Sequence, residues 1–198
     1  MKCLRPLMTG LVICLAQLTG SAQSDTSKIA ETAMFFADSL VKADTYQNWD
    51  IYADLSVPSV IKYYGGRAPF IAFIQKEWAT RVSSLEEDRP TLKFLHLLTH
   101  NEQWQCVIQE SRYIHKDDKK LHILTYFVGQ STDDGKSWRL FDVSYNKVAN
   151  IIYMMPDILD LPIPEHTILT EEEEIALAKA EAAKSAPAPA GGHARKKG

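Results

Sequence analysis

The chain reads as an α+β protein in which helices pack on an antiparallel sheet, and three observations carry that reading. Apolar residues recur at helical spacing as far as Leu85. After Pro90 the period falls to two. Short polar turns then separate long alternating runs, the pattern of an antiparallel meander. A sheet with one apolar face needs a cover, and three N-terminal helices supply it.

The first segment is an address. Lys2 and Arg5 precede an apolar stretch from Leu7 to Leu18, and Gly20-Ser21-Ala22 offers small residues where a signal peptidase reads. This layout predicts a signal peptide over residues 1–22, cut after Ala22, with an apolar run too short for a permanent membrane span. The expected destination is periplasmic or extracellular. A first helix is expected from an Asp25-Thr26-Ser27 cap, with Ile29, Ala33, Phe36, Ala37 and Leu40 recurring along it. Asp44 to Leu55 reads as a second helix carrying Tyr46, Trp49 and Tyr52 and ended by Pro58. Val60 to Tyr64 reads as a short strand. Gly65-Gly66 makes a turn, and Pro69 sits in the first turn of a third helix, where its missing N–H costs nothing. Ile71, Ile74, Trp78, Val82 and Leu85 form that helix's apolar stripe.

Leu92, Phe94, His96 and Leu98 are expected on one face of the first long strand. Trp104, Cys106 and Ile108 share a face of the next, with Glu110 and Arg112 further along it. Asp117 to Lys120 is a polar turn, and Leu121 to Val128, apolar on both faces, fits a central strand. Ser131-Thr132-Asp133-Asp134-Gly135-Lys136-Ser137-Trp138 follows the Asp-box pattern, Ser-x-Asp-x-Gly-x-Ser-Trp. One copy in a short chain predicts a braced hairpin turn and no glycosidase activity. It leads into a strand from Trp138 to Val143. Residues 23–164 thus form one domain. Residues 165–198 read as an acidic, Ala-rich helix capped by Thr170, then a disordered tail with the basic tip Arg195-Lys196-Lys197.

Cys3 and Cys14 leave with the signal, so Cys106 is a lone thiol and the mature fold holds without an internal disulfide. Without Lys2 and Arg5 the 22 basic residues become 20 against 25 acidic ones, a formal charge of −5, which disfavours nucleic acid as a partner. The histidines are scattered and none pairs with acids or thiols at zinc-like spacing, so no metal and no cofactor is expected.

The order helix, helix, short strand, long helix and long meander, with the Gly65-Gly66 turn ahead of the Pro69 helix and a hairpin ending in Asp133 to Trp138, resembles the nuclear transport factor 2-like (cystatin-like) superfamily over residues 28–156. The resemblance implies a strongly curved sheet, a cone, wrapped about the long helix with an apolar pocket between them. It also implies pairing into a homodimer through the open sheet face, to which the apolar run Ile151 to Met155 could add. The superfamily hosts isomerases, dehydratases, hydrolases, transport adaptors and plain binding modules, so function must be read from the site. Its steroid-isomerase-like members use an acidic base with an oxyanion-binding tyrosine and acid inside the cone.

The candidate acids or bases on the strands are Glu110, Asp142 and His96. The candidate ligand contacts are Trp49, Tyr52, Tyr63, His96, Trp104, Arg112 and Tyr126. Glu110 and Arg112, two apart on a strand, point the same way. Inward they would grip a polar ligand group; the outward placement, as a solvated pair, is the expectation here. The leading functional expectation is an exported, non-catalytic domain that holds a small apolar or amphipathic molecule, or a protein partner, through its cavity or sheet. The alternatives are a cofactor-free isomerase, lyase or hydrolase working through a pocket acid, and a structural module for envelope assembly or dimerisation.

Overall fold

Among the described residues four helices precede the sheet: α1 (Leu7–Thr45), α2 (Trp49–Leu55), α3 (Pro58–Tyr63) and α4 (Arg67–Arg81). In the computed structural model the described residues are 7–81, 85–86, 89–100, 103–144 and 148–185, with side chains described for all of these except 7–25, 81, 85–86, 148 and 181–185. Lys2 and Arg5 of the expected signal, and the tail beyond Ser185 with its basic tip, lie outside the described residues. Helix α1 runs unbroken through Asp25, Thr26 and Ser27, where a helix start was expected. Among the described residues, no helix is long and apolar enough to cross a membrane.

Ala33, Ala37, Leu40, Val41 and Asp44 form one buried stripe of α1 at spacings of four, three, one and three. Asn48 caps α2, its side-chain oxygen accepting from Ile51 N at 3.3 Å. Pro58 opens α3 instead of closing α2, so the strand expected from Val60 to Tyr64 is a helix. A proline at the first helical position has its φ already set and loses no bond. Gly65 and Gly66 take positive φ, 89° and 110°, to turn the chain into α4. Arg67 ties that start to α2 through Asp54 at 2.6 Å and Asp50 at 3.0 Å.

Among the described residues the sheet has six strands: β1 (Leu85–Glu86), β2 (Thr91–His100), β3 (Gln103–Lys116), β4 (Lys119–Ser131), β5 (Arg139–Asp142) and β6 (Thr167–Thr170). It is curved and wholly antiparallel among these strands, built on the long β3–β4 hairpin. Strands β1 and β2 share one edge of β3, while β5 and β6 share the far edge of β4. The β3–β4 turn uses two residues, Asp117 and Asp118, both at positive φ (51° and 59°), the twist that suits a tight hairpin. Leu85 lies in β1, not in the stripe of the preceding helix. Strand β6 falls in a segment read from sequence as tail.

Strand β2 departs from strict alternation. The register slips between Phe94, opposite Ile108, and His96, opposite Val107. One extra residue puts His96 and Leu98 on the face opposite to Leu92 and Phe94. The four residues expected on one face are thus divided between two.

Helix α1 lies against β2, β3 and β5, whereas α4 lies chiefly on α2 and α3. The helix under the sheet is therefore the first and not the Pro69 helix, because α1 carries the continuous buried stripe that the sheet covers. Val57 N bonds the Leu140 carbonyl at 3.1 Å and fixes the α2–α3 junction to β5. The opposite sheet face is closed as well. Gln105, fully buried there, donates to the Asp157 carbonyl (2.8 Å) and accepts from Leu159 N (2.7 Å), clamping the segment after α5 (Ile151–Met154) onto the sheet.

The Asp-box turn joins β4 to β5. Asp133 accepts from Ser131 Oγ (2.8 Å), Ser137 N (2.9 Å) and Ser137 Oγ (2.7 Å), while Ser131 Oγ accepts from Gly135 N (3.0 Å). These donors hold the Asp133 carboxyl near 2: the Ser137 hydroxyl and N–H lower it most. Trp138 is buried beneath the turn and donates to the Gly135 carbonyl at 3.2 Å. Past β6, α6 (Glu171–Ser185) starts with a reciprocal cap between Thr170 and Glu173.

Candidate functional site

Glu110 and Arg112 point into the core, on the face that α1 covers. The outward, solvated placement expected from sequence is overturned: Glu110 is 1 % exposed and Arg112 9 %. The reason lies in the pleat. Cys106, Ile108, Glu110 and Arg112 follow one another at intervals of two with no bulge in β3, so the apolar face carries the charged pair inward. Arg112 Nε donates to Glu110 Oε1 at 2.8 Å, and Nη2 donates to the same oxygen.

Asp142 reaches the same place from the end of β5, opposite Phe127. It is 8 % exposed, and its Oδ1 accepts from Ser144 N (2.8 Å), Ser144 Oγ and, at 3.4 Å, Thr125 Oγ1. Asp44 arrives from the last turn of α1 and Tyr52 from α2, 7 % and 5 % exposed. These five side chains, with Leu40, Val41 and Phe127, line a cavity with room for about one water-sized molecule.

Charge is unbalanced around this cavity: three carboxyls face one guanidinium. Burial pushes the Glu110 carboxyl up to about 7, with Arg112 pulling it down and Asp142 and Asp44 pushing it further up. Glu110 therefore changes protonation near neutrality and can give or take a proton there. His166, just ahead of β6, feels the Asp142 charge and bonds the Leu124 backbone, but burial holds its ring below the usual histidine range.

The other sequence candidates lie elsewhere. His96 is exposed, turned to the far face by the bulge. Tyr63 is 56 % exposed and edge-on to Tyr64. Tyr126 is buried on the sheet face opposite to the cavity, paired with Gln109, and burial raises its hydroxyl pKa. Trp104 is half-buried near the β4 end, opposite Ser131. Trp49 supports the site from behind, edge-on to Tyr52 at 6.5 Å and to Trp78 at 6.0 Å. Of the named candidates, the cavity is lined by Glu110, Asp142, Arg112 and Tyr52. Asp44 was missed, although it continues the stripe of Ala33, Ala37, Leu40 and Val41 and was legible as an acid on an apolar face.

Cys106 is fully buried, and burial pushes its thiol up to about 12, which leaves it an unreactive core residue. Among the described residues, no group of three or more His, Cys, Asp or Glu side chains is placed to hold a metal ion. Comparison with family models, curated proteins and solved structures gave no match.

Proposed function

We propose that this chain is an exported domain of the nuclear transport factor 2-like type that binds a small amphipathic molecule, without transforming it, at the Glu110–Arg112 cavity. One observation carries the reading. Asp44, Glu110, Arg112 and Asp142, each less than a tenth exposed, converge with Tyr52 on a space that protein atoms do not fill. Burying such charges costs several kcal/mol per ion, of the order of 10 kcal/mol for the set before their mutual attraction offsets it, and apolar residues of the same volume would hold the core as well. A polar ligand head gives the cluster a use that packing does not.

The test is a calorimetric screen of the purified chain against small amphipathic molecules with amine, hydroxyl or carboxylate heads. The expected result is a binder whose affinity falls at least about tenfold in Glu110→Gln, a variant of the same shape. A binder indifferent to Glu110→Gln and Tyr52→Phe, or none at all, removes the proposal.

A second reading is favoured by a specific feature, the Glu110 carboxyl poised near 7 beside a tyrosine and a guanidinium. That is the equipment of a general acid–base catalyst moving a proton on a bound substrate. Turnover that follows the protonation of Glu110 and vanishes in Glu110→Gln would decide for it.

A further inference from the structure

Beyond its cap on Thr170, the exposed helix α6 is tied to the long β3–β4 hairpin through the side chain of Glu174. Of residues 171–180, Glu174 alone is not exposed. Its Oε1 accepts from Tyr113 Oη at 2.7 Å and lies 3.1 Å from His122 Nδ1. Tyr113 and His122 are cross-strand partners on the face away from the cavity, their rings stacked at 4.4 Å and 17°. The other ring nitrogen of His122 sits 2.6 Å from Ser111 Oγ. One face and both nitrogens of one imidazole thus meet named neighbours. The Nδ1 side is buried, faces a carboxylate and is not aligned for a hydrogen bond.

We propose that α6 is a proton-sensitive strap, docked through Glu174 on Tyr113 and His122 and held more tightly when His122 carries a positive charge. The groups that face His122 set the sign. Glu174 from α6 attracts the cation, while Ser111 and Tyr113 from β3 are neutral and Leu169 from β6, opposite it in register, is apolar. Lys120, with Nζ 4.6 Å from the Tyr113 ring centre, and its partner His115 lie one step along on the same face and oppose the cation more weakly. The phenol adds a bond that does not depend on the imidazole charge, and Glu174 holds the Tyr113 hydroxyl above the usual phenol range. Histidine is the side chain whose charge change lies nearest physiological pH. The extra hold is therefore present on the acid side of that change and lost as pH rises.

Hydrogen exchange of the full chain, corrected for intrinsic rates, tests this at about pH 5.5 and about pH 8. Amides of α6 are expected to be roughly two- to fivefold better protected at the lower pH, the scale of a partly exposed ion pair. His122→Gln and Glu174→Gln should each abolish the difference. Tyr113→Phe should lower protection at both pH values and leave the difference in place. The β3 and β4 amides serve as the reference for a folded sheet. Equal protection of α6 at the two pH values, or a difference that survives Glu174→Gln, overturns the strap.

Discussion

Arg112 and Glu110 sit two residues apart on one strand and bond each other inside the core, Nε to Oε1 at 2.8 Å. Neighbours of this kind share a strand face, so the pair forms without either backbone moving. Arg112→Met leaves three carboxyls without their guanidinium and is expected to cost about 3–5 kcal/mol. Adding Glu110→Met should return about half of that, because the most deeply buried carboxyl goes and Asp44 and Asp142 stay. Urea unfolding of the two variants measures both values.

Glu110 also sets a pH dependence. Its carboxyl titrates near 7 in the folded chain and near the ordinary glutamate value when unfolded. A raised pKa means that the folded state holds the proton longer. The stabilisation is complete below about pH 4.5 and is lost as pH rises through about 7, on the order of 3 kcal/mol in all. Wild type should therefore lose stability over that interval, and Glu110→Gln should flatten the loss. Thermal melts across the range give the comparison.

Asp133 acts in the opposite sense. Its carboxyl is held near 2, so its contribution is present above about pH 4 and disappears as pH falls through 2. Asp133→Ala should cost about 1–2 kcal/mol at neutral pH through the lost bonds to Ser131 and Ser137. It should also make the acid limb of the stability curve shallower. Together with Glu110 this puts greatest stability on the acid side of neutrality.

Gly129 faces Cys106 across the β3–β4 pair, and a Cβ there would stand 2.6 Å from Cys106 Sγ and 3.1 Å from Trp138 Cε3. Gly129→Ala is expected to destabilise by about 1–3 kcal/mol as an overpacked core position. Cys106→Ala in the same chain should recover part of that loss by removing the sulfur. A double-mutant cycle in denaturant measures the coupling.

Much of this was legible in the residues themselves. The change of period at Pro90, the Gly65-Gly66 turn and the Asp-box hairpin rest on local chemistry that a neighbouring segment does not alter. What escaped depended on partners distant in sequence. The bulge at Phe94–His96 is a register choice made by two strands together, and it moved His96 out of the candidate site. Pro58 can close one helix or open the next, and only the bond of Val57 to Leu140 shows which. Glu110 and Arg112 look solvated when charge is weighed alone, whereas the strand's unbroken alternation places them inside. Strand β6 carries no strong signal because its pairing with β4 is supplied from more than forty residues away.

The β3–β4 hairpin is the template on which all other ribbons are laid. Every flanking strand bonds to it, and a two-residue reversal closes it at small entropic expense. The pieces added at its rims, two residues in β1 and four in β6, can detach and reattach while the ladder between them stays intact. Opening of the sheet is therefore expected first at its margins, with the central ladder and the charged hollow beneath it yielding last.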